Sequence, residues 1–85
     1  MRIKRHIRQV TASILNFKNI VGNHVRELRL SGNLTQDLLA DRCGIYRTYL
    51  SRIEMGHANP TLLVLVALAN CLDVQPYELL VNPMP

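Results

Sequence analysis

Apolar residues recur along the chain with the spacing of α-helices, and no stretch shows the sustained two-residue alternation of a half-buried strand. Near the start, the intervals between apolar residues are four, three, four and three, at Ile3, Ile7, Val10, Ile14 and Phe17. Because these intervals keep the residues on one face of a helix, they predict a basic amphipathic helix or arm over residues 1–17. We call this segment the N-terminal arm.

Five more helices are predicted after the arm. They run from about Ile20 to Leu30, Thr35 to Cys43, Tyr46 to Glu54 or Met55, Thr61 to Leu72, and Pro76 to Leu80. Thr35 and Thr61 carry side-chain oxygens suited to capping a helix start, and Gly44 suits the left-handed position that follows a helix end. The sequence therefore predicts an all-α domain over residues 18–81, followed by a C-terminal tail over residues 82–85.

The middle of the chain holds the spacing that bears on function. The helices on either side of Gly44 are each about two turns long, and the connection Gly44-Ile45 is too short for an antiparallel hairpin. Two short helices that cross sharply at a glycine turn are typical of a helix-turn-helix, although other helical hairpins show the same spacing. In the second of these helices, positions 47, 48, 51 and 52 share one face, and Leu50 and Ile53 occupy the opposite one.

From Val21-Gly22 to Leu80 the sequence resembles the phage-repressor/Cro-type, or XRE-like, helix-turn-helix family. The matching residues follow the family's order without gaps: Val25-Arg26, Leu28-Arg29, Leu34-Thr35-Gln36, Leu39-Ala40, Gly44-Ile45, Tyr49-Leu50-Ser51-Arg52-Ile53-Glu54, Gly56, Asn59-Pro60-Thr61, Leu65, Leu68-Ala69, Leu72, Val74, Pro76 and Glu78-Leu79. The resemblance implies a compact five-helix DNA-binding domain, with the motif at about residues 35–55 and the arm as an addition. It also implies a transcriptional regulator, expected to be a repressor, that reads the major groove of a near-palindromic operator as a homodimer.

The resemblance assigns roles to residues of the motif. Arg47, Thr48 and Arg52 fall at base-reading positions, with Ser51 nearby, and arginine suits bidentate contact with guanine O6 and N7. Gln36 is expected to bond a phosphate and to brace the recognition helix. The alternative for Arg47 and Arg52 is that they are ordinary exposed charges of a solvated helix.

Three further residues of this region have less specific interpretations. Tyr46 stands where the family usually has a capping hydroxyl, so we expect this cap to be missing and the phenol to contact the sugar-phosphate backbone. Asn59 either donates to a phosphate or serves the turn before Pro60. Glu54 is expected to pair with a basic side chain of the motif and to orient it.

The net charge of +4 belongs to the arm. Residues 1–18 hold Arg2, Lys4, Arg5, Arg8 and Lys18 and no acid, whereas residues 19–85 hold five basic and six acidic residues. A basic arm on a nearly neutral domain favours a polyanion such as DNA, which makes Arg2, Lys4, Arg5 and Arg8 candidate phosphate contacts. The alternatives are a solvated tail without a partner and a membrane-surface helix, although we expect no membrane partner.

Length and composition limit the classes of protein that this sequence can encode. Eighty-five residues make one domain, and 48% apolar with 19% charged residues is a composition that folds. The longest apolar run, Leu62 to Ala69, is too short to cross a bilayer, and no signal peptide is recognisable, so we expect a cytoplasmic protein. The sequence has no Cys-x-x-Cys, no His-Glu-x-x-His and no phosphate-binding glycine loop. We therefore expect neither an enzyme, a metal site nor a cofactor.

The predicted helix after Thr61 is apolar nearly all round. Leu63, Val64 and Ala67 are apolar where relatives tend to carry polar residues, and a helix of this kind must be covered on both sides. The cover is expected from a second subunit, from the arm of the same chain, or from an arm exchanged between two subunits. The same face leaves one other function open, that of an antitoxin that binds a toxin protein as well as operator DNA.

Overall fold

The computed structural model describes the backbone of residues 3–81 and the side chains from Asn16 to Val81. This part of the chain forms four α-helices and a short 3-10 helix: α1 Ile3–Ser31, α2 Gln36–Cys43, α3 Arg47–Glu54, α4 Leu62–Cys71 and the 3-10 helix Pro76–Leu79. No strand occurs between residues 3 and 81, which confirms the all-α prediction. Arg2 and the predicted tail lie outside the described residues, as do the side chains of Lys4, Arg5 and Arg8.

The arm and the first predicted helix of the domain form one continuous helix, α1. The predicted arrangement of a separate N-terminal helix before five others is therefore replaced by four α-helices and one 3-10 helix over residues 3–81. Nothing between Phe17 and Ile20 interrupts a helix, because this stretch has neither proline nor glycine. The apolar spacing also continues in phase from Phe17 to Val21 and Val25, so one amphipathic pattern runs through both predicted segments.

The capping residues act as the sequence predicts. The Thr35 hydroxyl accepts a hydrogen bond from the Leu38 amide at 3.1 Å, and the Thr61 hydroxyl accepts one from Val64 at 3.2 Å. Gly44 follows α2 with φ +71°, and its own amide and that of Ile45 bond back to the last turn of α2. Tyr46 precedes α3 without a side-chain cap, as expected.

The core lies where the helices meet around α3. Its fully buried large side chains come from every element: Val25 from α1, Leu39 from α2, Leu50 and Ile53 from α3, Leu68 from α4 and Leu79 from the 3-10 helix. Gly22 lets α1 approach α3 closely, because a Cβ at this position would overlap the carbonyl oxygen of Ile53. α1 also reaches the 3-10 helix, where the His24 ring nitrogen Nδ1 lies 3.1 Å from the Leu79 carbonyl oxygen. One side of α3 is therefore packed on the core, and its opposite side is exposed.

Cys43 and Cys71 are free, half-buried thiols. The Cys43 thiol lies against α4 and donates to the Ala67 carbonyl oxygen at 3.8 Å. Burial, together with a hydrogen bond to Cys71, raises the pKa of Cys43 to about 12. This thiol is therefore protonated and weakly nucleophilic at neutral pH.

Candidate nucleic-acid interface

The turn between α2 and α3 sets the angle at which α3 leaves the domain. Three residues separate the two helices, and the second of them, Ile45, packs on the core. Gly44 adopts the left-handed conformation, which reverses the chain within one residue. A residue with a side chain would be strained in this conformation. The arrangement is that of a helix-turn-helix, in which the second helix presents one face to a partner.

The exposed face of α3 carries the four residues predicted to read bases. Arg47, Thr48 and Arg52 are exposed and Ser51 is half-buried, whereas Leu50 and Ile53 on the opposite side are 0% and 1% exposed. The helical alternation inferred from the sequence is therefore present in the structure. Two arginines on one exposed face of a short, projecting helix suit contact with guanine edges in a major groove.

Gln36 connects α2 to both ends of α3. Its side-chain amide donates to Glu54 Oε1 at 3.1 Å, and its carbonyl oxygen accepts from Arg47 at 3.3 Å. Arg47 also lies 3.3 Å from Asp37, a pair exposed enough to be worth little in stability. The first turn of α2 thus contacts the Arg47 side chain through both Gln36 and Asp37.

A buried ion pair between Arg29 and Glu54 fixes the carboxylate to which Gln36 donates. Arg29 of α1 contacts Glu54 through Nε at 2.7 Å and through its second terminal nitrogen at 3.0 Å, and it also donates to the Leu34 carbonyl oxygen at 2.9 Å. The Glu54 carboxylate raises the pKa of the Arg29 guanidinium, chiefly through this hydrogen bonding. Both residues are buried, so the bidentate pair is a rigid base for the Gln36 contact.

The expectation that Glu54 pairs with a basic residue of the motif is therefore wrong. Its partner is Arg29, which lies in α1, outside residues 35–55. Sequence reasoning missed the role of Arg29 because charge type alone does not show which of several arginines faces a buried carboxylate. Its position in the middle of an apolar helix face, one residue after Leu28, was the available signal.

The remaining predicted contact residues are dispersed. Tyr46 is 83% exposed at the start of α3. Arg52, near the end of the exposed face of α3, donates to the His57 carbonyl oxygen of the following loop at 3.3 Å. Asn59 is exposed, but it lines a groove with Lys18 and Pro60 rather than the groove that holds Gln36 and Ser51. That second groove runs between α1 and α3 and also exposes Arg26, a cation that sequence reasoning did not single out.

The three residues of the predicted partner face differ in exposure. Leu63 is 82% exposed, whereas Val64 and Ala67 are half-buried. Val64 packs against the core, and the Ala67 carbonyl oxygen accepts from Cys43 of α2. The exposed apolar side chains of α4 are Leu62 and Leu63, in its first turn.

Within residues 16–81 no three His, Cys, Asp or Glu side chains are grouped so that they could hold a metal ion. No helix between residues 3 and 81 is long and apolar enough to cross a membrane.

The fold and the face of α3 define a helix-turn-helix protein that binds DNA. A sequence model of the helix-turn-helix family matches residues 25–79, and the chain belongs to this family. The resemblance to the XRE-like branch is thereby confirmed.

Individual relatives are regulators. The chain is 41% identical over 66 residues to the control protein C.BamHI of Bacillus amyloliquefaciens, covering 76% of this chain and 82% of that protein. It is 38% identical over 55 residues to the immunity repressor of Bacillus phage phi105, covering 65% of this chain and 38% of the repressor. The crystal structure of the restriction-modification controller protein C.AhdI from Aeromonas hydrophila superposes with a TM-score of 0.71 at 37% identity, covering 73% of this chain and 94% of that one.

Proposed function

We propose that this protein is a sequence-specific transcriptional regulator that reads the major groove of a near-palindromic operator as a homodimer and acts as a repressor. The observation that carries the proposal is the face of α3, where Arg47, Thr48, Ser51 and Arg52 stand opposite the buried Leu50 and Ile53. The similarity to control proteins and to a phage immunity repressor supports a regulatory role. Relatives from bacteria and a phage also support action in the cytoplasm, where such genomes lie.

The proposed contacts divide into two kinds. Arg47 and Arg52 read guanine edges, while Thr48 and Ser51 meet neighbouring base edges or a thymine methyl group. Gln36 contacts phosphate and positions Arg47, since its side chain already bonds to Arg47 at 3.3 Å. Tyr46 and Asn59 remain candidates for contacts with the sugar-phosphate backbone.

The four arm cations, Arg2, Lys4, Arg5 and Arg8, remain predicted phosphate contacts. Each phosphate contact releases counterions, so the logarithm of the affinity falls with the logarithm of salt concentration. Removing residues 1–8 is expected to flatten that slope for any duplex. An unchanged slope would assign the arm to packing instead.

The dimer is proposed from the apolar residues of α4, with Leu63 as its most exposed member. Two recognition helices related by two-fold symmetry match the symmetry of a palindromic operator. The antitoxin alternative has no support among the relatives described above, and we do not propose it.

Selection of bound DNA from random duplexes tests the proposal. We expect an enriched near-palindrome, and we expect Arg47→Ala and Arg52→Ala to lose about 1–3 kcal/mol of discrimination each against a changed base pair. The control is Arg42→Ala, which removes an exposed arginine from the last turn of α2. The double Arg47→Ala, Arg52→Ala variant must first be shown to be folded. If it then prefers the operator over a scrambled duplex by the wild-type ratio, α3 is not the recognition helix.

A further inference from the structure

The continuity of α1 decides what the N-terminal arm can reach. At about 1.5 Å per residue, the 29 residues of α1 make a rod about 43 Å long, close to the 45 Å longest dimension of the molecule. Helices bend sharply at proline or glycine, and α1 has neither before Gly22. Residues 3–16 therefore continue along the axis of α1 and do not turn back over α4 of their own chain. Of the three covers expected from the sequence, this favours the two that come from a second subunit.

An apolar surface lies beside the point where the arm leaves the domain. Phe17 and Val21 line a groove with Pro60, Leu65 and Leu80. Leu62, one helical turn before Leu65 on the same face of α4, is 72% exposed. Leu80 and Val81, which follow the 3-10 helix, are also exposed. Phe17, Leu62, Leu80 and Val81 therefore stay exposed among the described residues, and together with Leu65 we call them the α4 surface.

The arm carries a matching apolar stripe. Ile3, Ile7, Val10 and Ile14 continue, in sequence phase, the face of α1 on which Phe17 and Val21 lie. By sequence phase the stripe therefore extends the apolar face of α1 that Phe17 and Val21 occupy in the domain. The family match begins only at Val25, so the arm is an addition to the part of the chain that is shared with the family.

Charge favours a second copy of the same chain as the partner of this stripe. The first 18 residues carry five cations and no acid. After Arg52 the sequence has no lysine or arginine, and its acids include the exposed Asp73 and Glu78 near the 3-10 helix. An arm is thus attracted to the C-terminal third of another copy, whereas two arms side by side would place like charges together. The arm also offers about two heptads, fewer than the three or four that a coiled coil usually needs.

We propose that the N-terminal arm of each subunit packs its apolar stripe on the α4 surface of the other subunit, so that two arms are exchanged reciprocally across a two-fold axis. The proposal rests on the proposed homodimer and names the surface that forms it. The contact between an arm and an α4 surface then occurs twice in the dimer, once for each arm. By sequence phase the arm's cations fall off the stripe, where they can meet the acidic C-terminal third of the partner.

Sedimentation of the full-length protein without DNA tests the exchange. Ile7→Glu places a charge in the stripe, and Leu62→Glu places one on the α4 surface. We expect each variant to weaken dimerisation at least about tenfold, because each breaks two equivalent contacts. Two matched controls, Gln9→Glu off the stripe of the arm and Met55→Glu at an exposed apolar residue after α3, should dimerise like the wild type. Val10→Glu repeats the arm test, and circular dichroism checks that each variant is folded.

Mixing the two defective proteins gives the decisive result. A heterodimer of Ile7→Glu and Leu62→Glu contains one intact arm on one intact α4 surface, so the mixture should associate more strongly than either variant alone. The proposal is overturned if Ile7→Glu and Val10→Glu dimerise like the wild type, if Leu62→Glu does, or if mixing restores nothing. The sedimentation test contains no DNA, so its result does not depend on whether the operator selection succeeds. Conversely, if the wild type is a monomer, the selection can still enrich a half-site.

Discussion

Replacing Glu54 with leucine tests whether the buried ion pair holds the reading helix in place. The substitution removes three hydrogen bonds, from Arg29 at 2.7 and 3.0 Å and from Gln36 at 3.1 Å. It leaves the Arg29 guanidinium buried at 9% exposure, with the Leu34 carbonyl oxygen as its remaining partner in the structure. An uncompensated buried charge of this kind costs about 3–5 kcal/mol. Since small domains are stable by about 5–15 kcal/mol, Glu54→Leu should unfold at much lower urea concentration.

The double variant Arg29→Met, Glu54→Leu separates charge from volume. With both charges gone, no buried group is left unpaired, so most of the lost stability should return. Operator affinity should not return, because Gln36 has lost the carboxylate that holds it against α3. Urea unfolding at one fixed protein concentration and operator titration measure the two effects. The reasoning is refuted if Glu54→Leu costs less than about 1 kcal/mol, or if the double variant is no more stable than the single one.

Three other outcomes follow from packing and from the Cys43 thiol. Leu50→Ala should cost about 2–5 kcal/mol in urea unfolding, because Leu50 is fully buried, while the folded fraction keeps its operator preference. Gly22→Ala should cost more than about 1 kcal/mol because its Cβ overlaps the Ile53 carbonyl oxygen, whereas Gly32→Ala, whose nearest neighbour is 3.6 Å away, should change stability by less than about 0.5 kcal/mol. The raised pKa of Cys43, about 12 in the folded state, means that the unfolded state ionises first as pH rises. The urea midpoint should therefore be insensitive to this thiol below its ordinary pKa near 9 and should fall above it, and iodoacetamide should react with Cys43 at pH 8 mainly after unfolding.

The sequence alone determined the elements that depend on local interactions. Threonine caps, the left-handed glycine and the helical alternation of arginine with leucine and isoleucine are settled within one or two turns of chain. The ends of α2, α3 and α4 and the exposed face of α3 could therefore be predicted from residue order. The break expected between Phe17 and Ile20 was the local error, because a continuous apolar phase without proline or glycine is itself a signal for one helix.

Only the tertiary structure decided which distant residues meet. The pairing of Arg29 with Glu54 spans 25 residues, and the sequence has seven other arginines with the same formal charge. Likewise, the sequence showed that α4 is apolar nearly all round, but not that Val64 and Ala67 are covered by the core and α2 while Leu63 stays exposed. Such pairings depend on how the helices pack in three dimensions, and periodicity along one helix carries no information about which neighbour covers which face.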